Sequence, residues 1–325
     1  MTLPALRSIR SALFGPHLSF VHEFKRPPYG GGNQFLLALK NELAGRGIDV
    51  GARRIGPRTR HVLFNSFNFD MDWLRAQLAD KSSRGIHTVH RVDGPISAYR
   101  GKDIEIDRKI FEINRDLADA TVFQSRYSME EHRRIGLDFG DNAHVIMNAV
   151  NAAIFHPNGR IPFPHDGSRK IRLVATSWSP NRRKGADVYE WLDAELDFTA
   201  FEFTFIGNTP STFRNIEVVP PVPSEQLADL LRQQDIYITA SLNDPCSNAL
   251  TEALACGMPA LYRKSGGHPE IVKQAGLGFD DASEVPALLN ELVEKHDRFQ
   301  AAIDIPTIGT IADQYLELFR IDPTA

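Results

Sequence analysis

"DIYITASLNDPCSNALTEALACGMPALYRKSGGHPEI", residues 235–271, is the stretch whose reading decides the fold. A continuous apolar run (IYITAS) gives way to a polar loop (NDPCSN), a helix-forming segment of small residues, and a second apolar run (PALYRK) before a glycine pair. A buried strand whose helix returns to another buried strand is a βαβ unit, and such units build parallel sheets. The helix is expected to start near Ser247 or Asn248 and to end at Gly257, since glycine readily takes the left-handed turn that closes a helix. Its first amides, on Asn248, Ala249 and Leu250, have no partner inside the helix, so an anion placed there would satisfy them and gain from the helix dipole. Two carboxylates bracket this start, Asp244 on the loop and Glu252 about a turn inside. Taken alone they read as a dipole-complementing acid and a solvated helix residue. The neighbouring loops argue for a bound ligand.

Working outward, short β-branched runs alternate with amphipathic helical stretches along the whole chain. The strand candidates are LSFVHEF, HVLFNSF, IHTVHRV, ATVFQS and HVIMNAV in the first half, then IRLVATS, FEFTFIG, IYITAS and PALYRK. The proline- and glycine-rich stretch HPNGRIPFPHDGS (156–168) interrupts the alternation and reads as a linker. The expected fold class is α/β, with two doubly wound domains, residues 1–163 and 164–305, facing each other across a cleft. PTIGTIADQYLELFRI (306–321) reads as a terminal helix with no strand after it, free to pack back on the first domain. In such sheets ligands bind outside the carboxyl ends of the strands.

Each further motif falls at such an edge. ATSWSPNRRKGADVYEWL follows a strand and carries Arg182, Arg183 and Lys184 before Gly185, a cation cluster suited to neutralising a departing diphosphate. KSGGHPEI offers Gly266 and Gly267 ahead of a helix, where the backbone can approach a ligand closely. YGGGNQF places Gly30, Gly31 and Gly32 between the first strand and its helix, leaving no side chain between a ligand and the amides. This is not the GxGxxG pattern, which disfavours a nicotinamide cofactor. TVHRVDGP ends a strand with His90 and Asp93, and a histidine there is placed to hydrogen-bond a reacting group or carry a proton. Asp70 and Asp72 in FDMDW have the spacing of a metal-holding acidic pair, but the helical WLRAQL that follows makes helix capping the better reading.

Composition sets the outer limits. With 42% hydrophobic and 24% charged residues the chain is an ordinary globular one, and its two cysteines, Cys246 and Cys256, suit a reducing compartment. No apolar run is long enough to span a bilayer. The net charge of −4 conceals an asymmetry: residues 1–163 hold 23 Lys+Arg against 17 Asp+Glu (+6), and residues 164–325 hold 14 against 24 (−10). A basic first half suits anionic headgroups or phosphorylated acceptors, while the absence of a dense basic stripe or zinc spacing argues against nucleic acid. The N-terminal MTLPALRSIRSALFGPH is a poor signal peptide and reads as a docked terminal helix or a basic amphipathic one lying on a bilayer.

Together these pieces resemble the GT-B glycosyltransferases, and family four most closely, over nearly the whole chain. Asp244 and Glu252, with seven residues between them, match the family's acidic pair, and ALACGMPAL matches the segment closing that helix. RKG (183–185) matches its basic loop, with Lys184 in the place of the phosphate-binding lysine. FIGN (205–208), MNAV (147–150), the glycine loop and His90 fall at corresponding places. The chain departs from the pattern twice: the first acid is Asp244 where glutamate is usual, and Trp178 replaces an arginine six residues before the lysine.

The resemblance implies a retaining glycosyltransferase that moves a sugar from a nucleotide-diphosphate sugar to a hydroxyl acceptor, a glycan or lipid-linked saccharide, with no metal and no other cofactor. It places Lys184, Asp244 and His90 at the reacting centre. Gly31, Gly32, Arg182, Arg183, Ser247, Asn248, Ala249 and Glu252 are expected to hold the donor, and Val222, in VVPPVPSEQL, falls where the family holds the base. The expected location is the cytoplasm, with the basic half offering peripheral contact to the inner face of a membrane. Two alternatives fit the same fold: a nucleotide-sugar-binding module without catalysis, and a sugar-nucleotide epimerase.

Overall fold

A computed structural model of the chain describes residues 11, 13–26, 30–101 and 104–321. Most of the N-terminal basic stretch, and the glycine loop before Gly30, lie outside the described residues. Two compact units emerge, one from the residues up to Lys25, Leu36–Met147 and those from Ile308 onward, the other from Arg26–Phe35 and Asn148–Thr307. The chain thus passes from one unit to the other at Met147/Asn148, ahead of the proline-rich stretch that reads as a linker in sequence.

The first unit holds a six-stranded sheet of β1 (Leu18–Val21), β2 (Val50–Ala52), β3 (His61–Asn65), β4 (His87–Val92), β5 (Ala120–Phe123) and β6 (Ala143–Val145), in the order β2-β1-β3-β4-β5-β6. Every ladder is parallel. Parallel strands need crossovers, and the helices that supply them cover the sheet's faces, which is why β1 and β5 are buried along their whole length rather than alternately. Val62, Phe64, Leu74, Ile113 and Leu117 form one apolar cluster between sheet and helices. The last helix, Ile308–Phe319, returns to this unit and buries Ile311, Tyr315, Leu316 and Phe319.

The second unit is also a six-stranded parallel sheet: β7 (Ile171–Ser177), β8 (Phe201–Gly207), β9 (Glu217–Val219), β10 (Ile236–Thr239), β11 (Ala260–Arg263) and β12 (Gly276–Phe279), ordered β12-β11-β10-β7-β8-β9. Its core joins Leu173 and Ala175 of β7 to Val188, Tyr189 and Leu192 of the following helix, Ala186–Glu195. The strand order reverses direction at β7. Its crossovers therefore part on either side of the β7–β10 pair, leaving a crevice at the carboxyl ends of those two strands. The loops that leave β7 and β10 are the ones carrying RRK and NDPCSN.

Candidate functional site

Three segments meet at that crevice. The loop after β7 ends in a single 3₁₀ turn, Arg182–Lys184, which Asn181 caps by accepting from the Arg183 amide. The Arg183 carbonyl accepts from the Leu242 amide at 2.7 Å, which fixes this turn to the loop after β10. That loop is in turn held to the KSGG turn: the Gly267 amide donates to the Asp244 carbonyl at 2.8 Å and the Asn243 amide to Ser265 Oγ at 2.9 Å. Gly266 has φ +66°, and a Cβ there would overlap the Asp244 carbonyl. The glycine pair is accordingly where one backbone crosses another, and both its missing side chain and its left-handed conformation are required.

The helix Asn248–Ala255 starts where the sequence suggests, with Ser247 as its N-cap accepting from the Leu250 amide. Leu250 is therefore not among the open donors, and the Cys246 amide is engaged by the Asp244 carboxylate. Asn248 and Ala249 carry the first amides of the helix, and both residues are half-buried. The Asn248 side chain accepts from Asn148 Nδ2 at 2.9 Å. Gly31, which belongs to the same unit, lies so close that a Cβ on it would overlap the Asn248 amide group. Gly31 and Gly32 are the first two residues of the helix Gly31–Gly45 rather than part of the loop before it.

Lys184 Nζ donates to Asp244 Oδ2 at 2.7 Å. Asp244 is buried, which by itself would favour the neutral acid, but the Lys184 charge, neighbouring His268 and the Cys246 amide hold its carboxyl below the ordinary aspartate value. His268 is fully buried, with Nδ1 3.0 Å from the Arg263 carbonyl oxygen. Glu252 differs. Its side chain is half-buried and makes no hydrogen bond or ion pair among the described residues, and burial alone pushes its carboxyl up to about 8. A carboxylate dehydrated by its surroundings and given no donor is one that a ligand's hydroxyl groups would complete.

The remaining sequence candidates sit as follows. Arg182 is exposed and held by Glu190 through two bonds of 3.1 and 2.9 Å, so it points along its own helix's surface. Arg183 is half-buried, its Nε without a hydrogen-bond partner. Val222 is half-buried on the loop between β9 and the helix Ser224–Arg232. Trp178, at the carboxyl end of β7, is 46% exposed. Asp70 caps the helix Met71–Gln77 by accepting from the Trp73 amide at 2.9 Å. His90 belongs to the first unit and lies inside its sheet, stacked on Phe64 at 4.2 Å with Nδ1 3.0 Å from the Asn114 amide nitrogen. Burial drives its pKa down to about 3 against a contrary pull from the Ser66 backbone, so the imidazole is neutral at any ordinary pH. Sequence reasoning did not single out His268 as a neighbour of Asp244; the signal available was its place directly after the glycine pair.

Residues 213–296, which contain Asp244, Ser247 and Glu252, match the family model described as Glycosyl transferases group 1. Among solved structures, sucrose-phosphate synthase from Thermosynechococcus elongatus superposes with a TM-score of 0.69 at 16% identity, covering 93% of this chain and 98% of the other. The catalytic domain of starch synthase IV from Arabidopsis thaliana, bound to ADP and acarbose, gives 0.70 at 11% identity, covering 94% and 99%. HepE from Anabaena, in complex with UDP-glucose, gives 0.63 at 14% identity, covering 94% and 96%. The chain has the two-sheet α/β fold of these GT-B structures. The segment that matches the group 1 glycosyl transferases model lies within its second unit. The phosphatidylinositol N-acetylglucosaminyltransferase GPI3 subunit of Saccharomyces cerevisiae is 26% identical across 41% of this chain. The chain spans about a third (32%) of that relative's length.

Proposed function

We propose that this chain transfers a glycosyl group from a nucleotide-diphosphate sugar to a hydroxyl acceptor, with retention at the anomeric carbon and with protein groups rather than a metal ion neutralising the leaving diphosphate. One observation carries the reading: Lys184 and Asp244 stand paired before the start of the Asn248 helix, with an unpartnered Glu252 one turn inside it. A diphosphate would accept from the Asn248 and Ala249 amides and from Lys184. Glu252 would accept from the ribose hydroxyls and Asp244 from those of the sugar, while Val222 borders the base. HepE bound to UDP-glucose and starch synthase IV bound to ADP support a nucleotide donor on this fold.

In the reaction the bond from the anomeric carbon to the diphosphate oxygen breaks first, and its electron pair stays with the diphosphate. The acceptor hydroxyl attacks from the face the diphosphate leaves, and its proton passes to that departing oxygen. Lys184 and the helix amides stabilise the charge that develops there. His90, neutral and enclosed in the first unit's sheet, is given no proton to carry. The yeast relative's name, which joins phosphatidylinositol to N-acetylglucosaminyl transfer, supports a lipid-linked hydroxyl acceptor. No helix of the described residues is long and apolar enough to cross a membrane.

The test begins with thermal shifts against UDP-, GDP- and ADP-glucose, followed by turnover with the donor that stabilises most. Nucleoside diphosphate released only when a hydroxyl acceptor is added, with the anomeric configuration kept in the product, supports transfer. Binding without acceptor-dependent release indicates a donor-binding module, and a stereochemical change in the donor alone indicates an epimerase.

A further inference from the structure

A second cavity lies in the same unit, away from the crevice. It is a half-open pocket of about 600 Å³ lined by Val150, Phe155, Leu254, Ile303, Ile305 and Pro306, with His156 and Arg160 in its wall. That volume is typical of small-molecule sites, and the lining is largely apolar with few polar groups. Those polar groups are incomplete. Arg160 Nη1 is buried without a hydrogen-bond partner, and so is His156 Nδ1. Arg160 Nη2 reaches only the Asp235 carbonyl at 3.3 Å, because the Asp235 carboxylate is already taken by Arg169 at 2.6 and 2.9 Å. Among the described residues no carboxylate pairs with Arg160 at ion-pair distance. Arg160 is half-buried, and burial holds its pKa below the ordinary arginine value although the Asp235 charge acts on it from beyond ion-pair distance. Gln300, by contrast, is satisfied, donating to the Gly257 carbonyl at 2.7 Å.

We propose that this cavity is a binding site for a small amphipathic anion, an apolar chain or ring system ending in a carboxylate or phosphate, whose head pairs with Arg160 and whose body fills the apolar lining. A neutral apolar ligand would leave Arg160 Nη1 without an acceptor, and a cation would be repelled. The site shares a helix with the crevice but uses its other end: Leu254, Ala255 and Gly257 border the cavity, whereas Asn248 and Ala249 begin the helix. Val150 and Ala152 follow the outgoing chain crossing at Met147/Asn148, and Ile305 to Thr307 precede the return at Ile308. An occupant would therefore sit beside the chain that follows one crossing and precedes another.

Calorimetric titration of the full chain with decanoate, decyl phosphate, decanol and decylamine, all below their aggregation concentrations and without nucleotide, tests the site. Decanoate or decyl phosphate should bind one per chain, about tenfold or more tighter than decanol, with decylamine weakest. Arg160→Met should reduce the anions to the level of decanol, and Lys184→Ala should leave their binding unchanged. Ala152→Trp, at an exposed lining position, should block all four compounds and serves if Arg160→Met does not fold. Equal affinities regardless of head group, no binding to the wild-type chain, or an anion preference that survives Arg160→Met would overturn the proposal. Each outcome is read without donor or acceptor, so it stands apart from the glycosyl-transfer reading.

Discussion

The two acids that look alike in sequence have opposite electrostatics. Asp244 is held ionised by Lys184, whereas Glu252 is held protonated by burial. The folded Glu252 keeps its proton to about pH 8, while the unfolded one releases it near 4.5. Between those values the folded chain binds more protons, so the contribution of Glu252 to stability falls as pH rises. Relative to Glu252→Gln, the wild-type chain should lose about 3–4 kcal/mol between pH 5 and 8, read from denaturant midpoints. Donor affinity of the wild-type chain should rise across the same window as the carboxylate forms, and stay level in the variant. Lys184→Ala should lower kcat by about a hundredfold or more with a smaller change in donor KM, since the lysine acts most on charge that develops as the bond breaks. It should also cost about 1–3 kcal/mol by leaving Asp244 buried without its cation, discounted for the lysine's partial exposure. Lys184→Ala/Asp244→Asn should recover that stability without recovering turnover, a combination that separates the structural role from the chemical one.

At the scale of elements, the site depends on backbone crossings as much as on side chains. The KSGG turn locks against the NDPCSN loop through Gly266, whose φ and lack of Cβ are both needed. Gly266→Ala should therefore cost about 2 kcal/mol or more, from strain and overlap with the Asp244 carbonyl, and should weaken donor binding as Asp244 is displaced. A drop in melting temperature with donor affinity intact would show that Asp244 tolerates the shift. Element recognition in the sequence was uneven for a physical reason. IRLVATS and FEFTFIG coincide with β7 and β8, seven-residue strands in the sheet interior long enough to show their β-branched and aromatic pattern, with Phe201, Phe203 and Phe205 buried and Glu202 exposed between them. The unrecognised strands, Val50–Ala52, Glu217–Val219 and Gly276–Phe279, are all edge strands of three or four residues. With one neighbour each, they need little apolar length, and VGA and GLGF carry glycine that argues against a strand in isolation.

For the whole molecule, chain order and spatial order part company at the C-terminus. The helix Ile308–Phe319 follows the second unit in sequence but belongs to the first, where Arg46 donates to the Gly309 carbonyl at 2.9 Å and pairs with Asp313. Ending the chain at Thr307 removes the buried Ile311, Tyr315, Leu316 and Phe319, each worth about 1.5–3 kcal/mol of burial. The first unit should then lose its cooperative melting while the second keeps its own. Hydrogen exchange should show amides of β1, β3 and β4 exposed, with those of β7 and β10 still protected. Loss of protection in β7 and β10 instead would assign the helix's main role to the second unit.

By itself the sequence determined what is local. Burial of an interior strand, the N-cap at Ser247, the glycine that ends the helix and the spacing of Asp244 from Glu252 are fixed by residues a few positions apart, and their physics acts over that range. The tertiary structure decided the rest: that Lys184 pairs with Asp244 sixty residues later, that Arg182 is diverted to Glu190, and that His90 is sealed inside a sheet. It also decided that, among the described residues, Glu252 has no donor and Arg160 Nη1 no acceptor. A parallel sheet brings together loops that are distant along the chain, and the cost of burying a charge depends on every neighbour the fold supplies, so neither could be read from the order of residues alone.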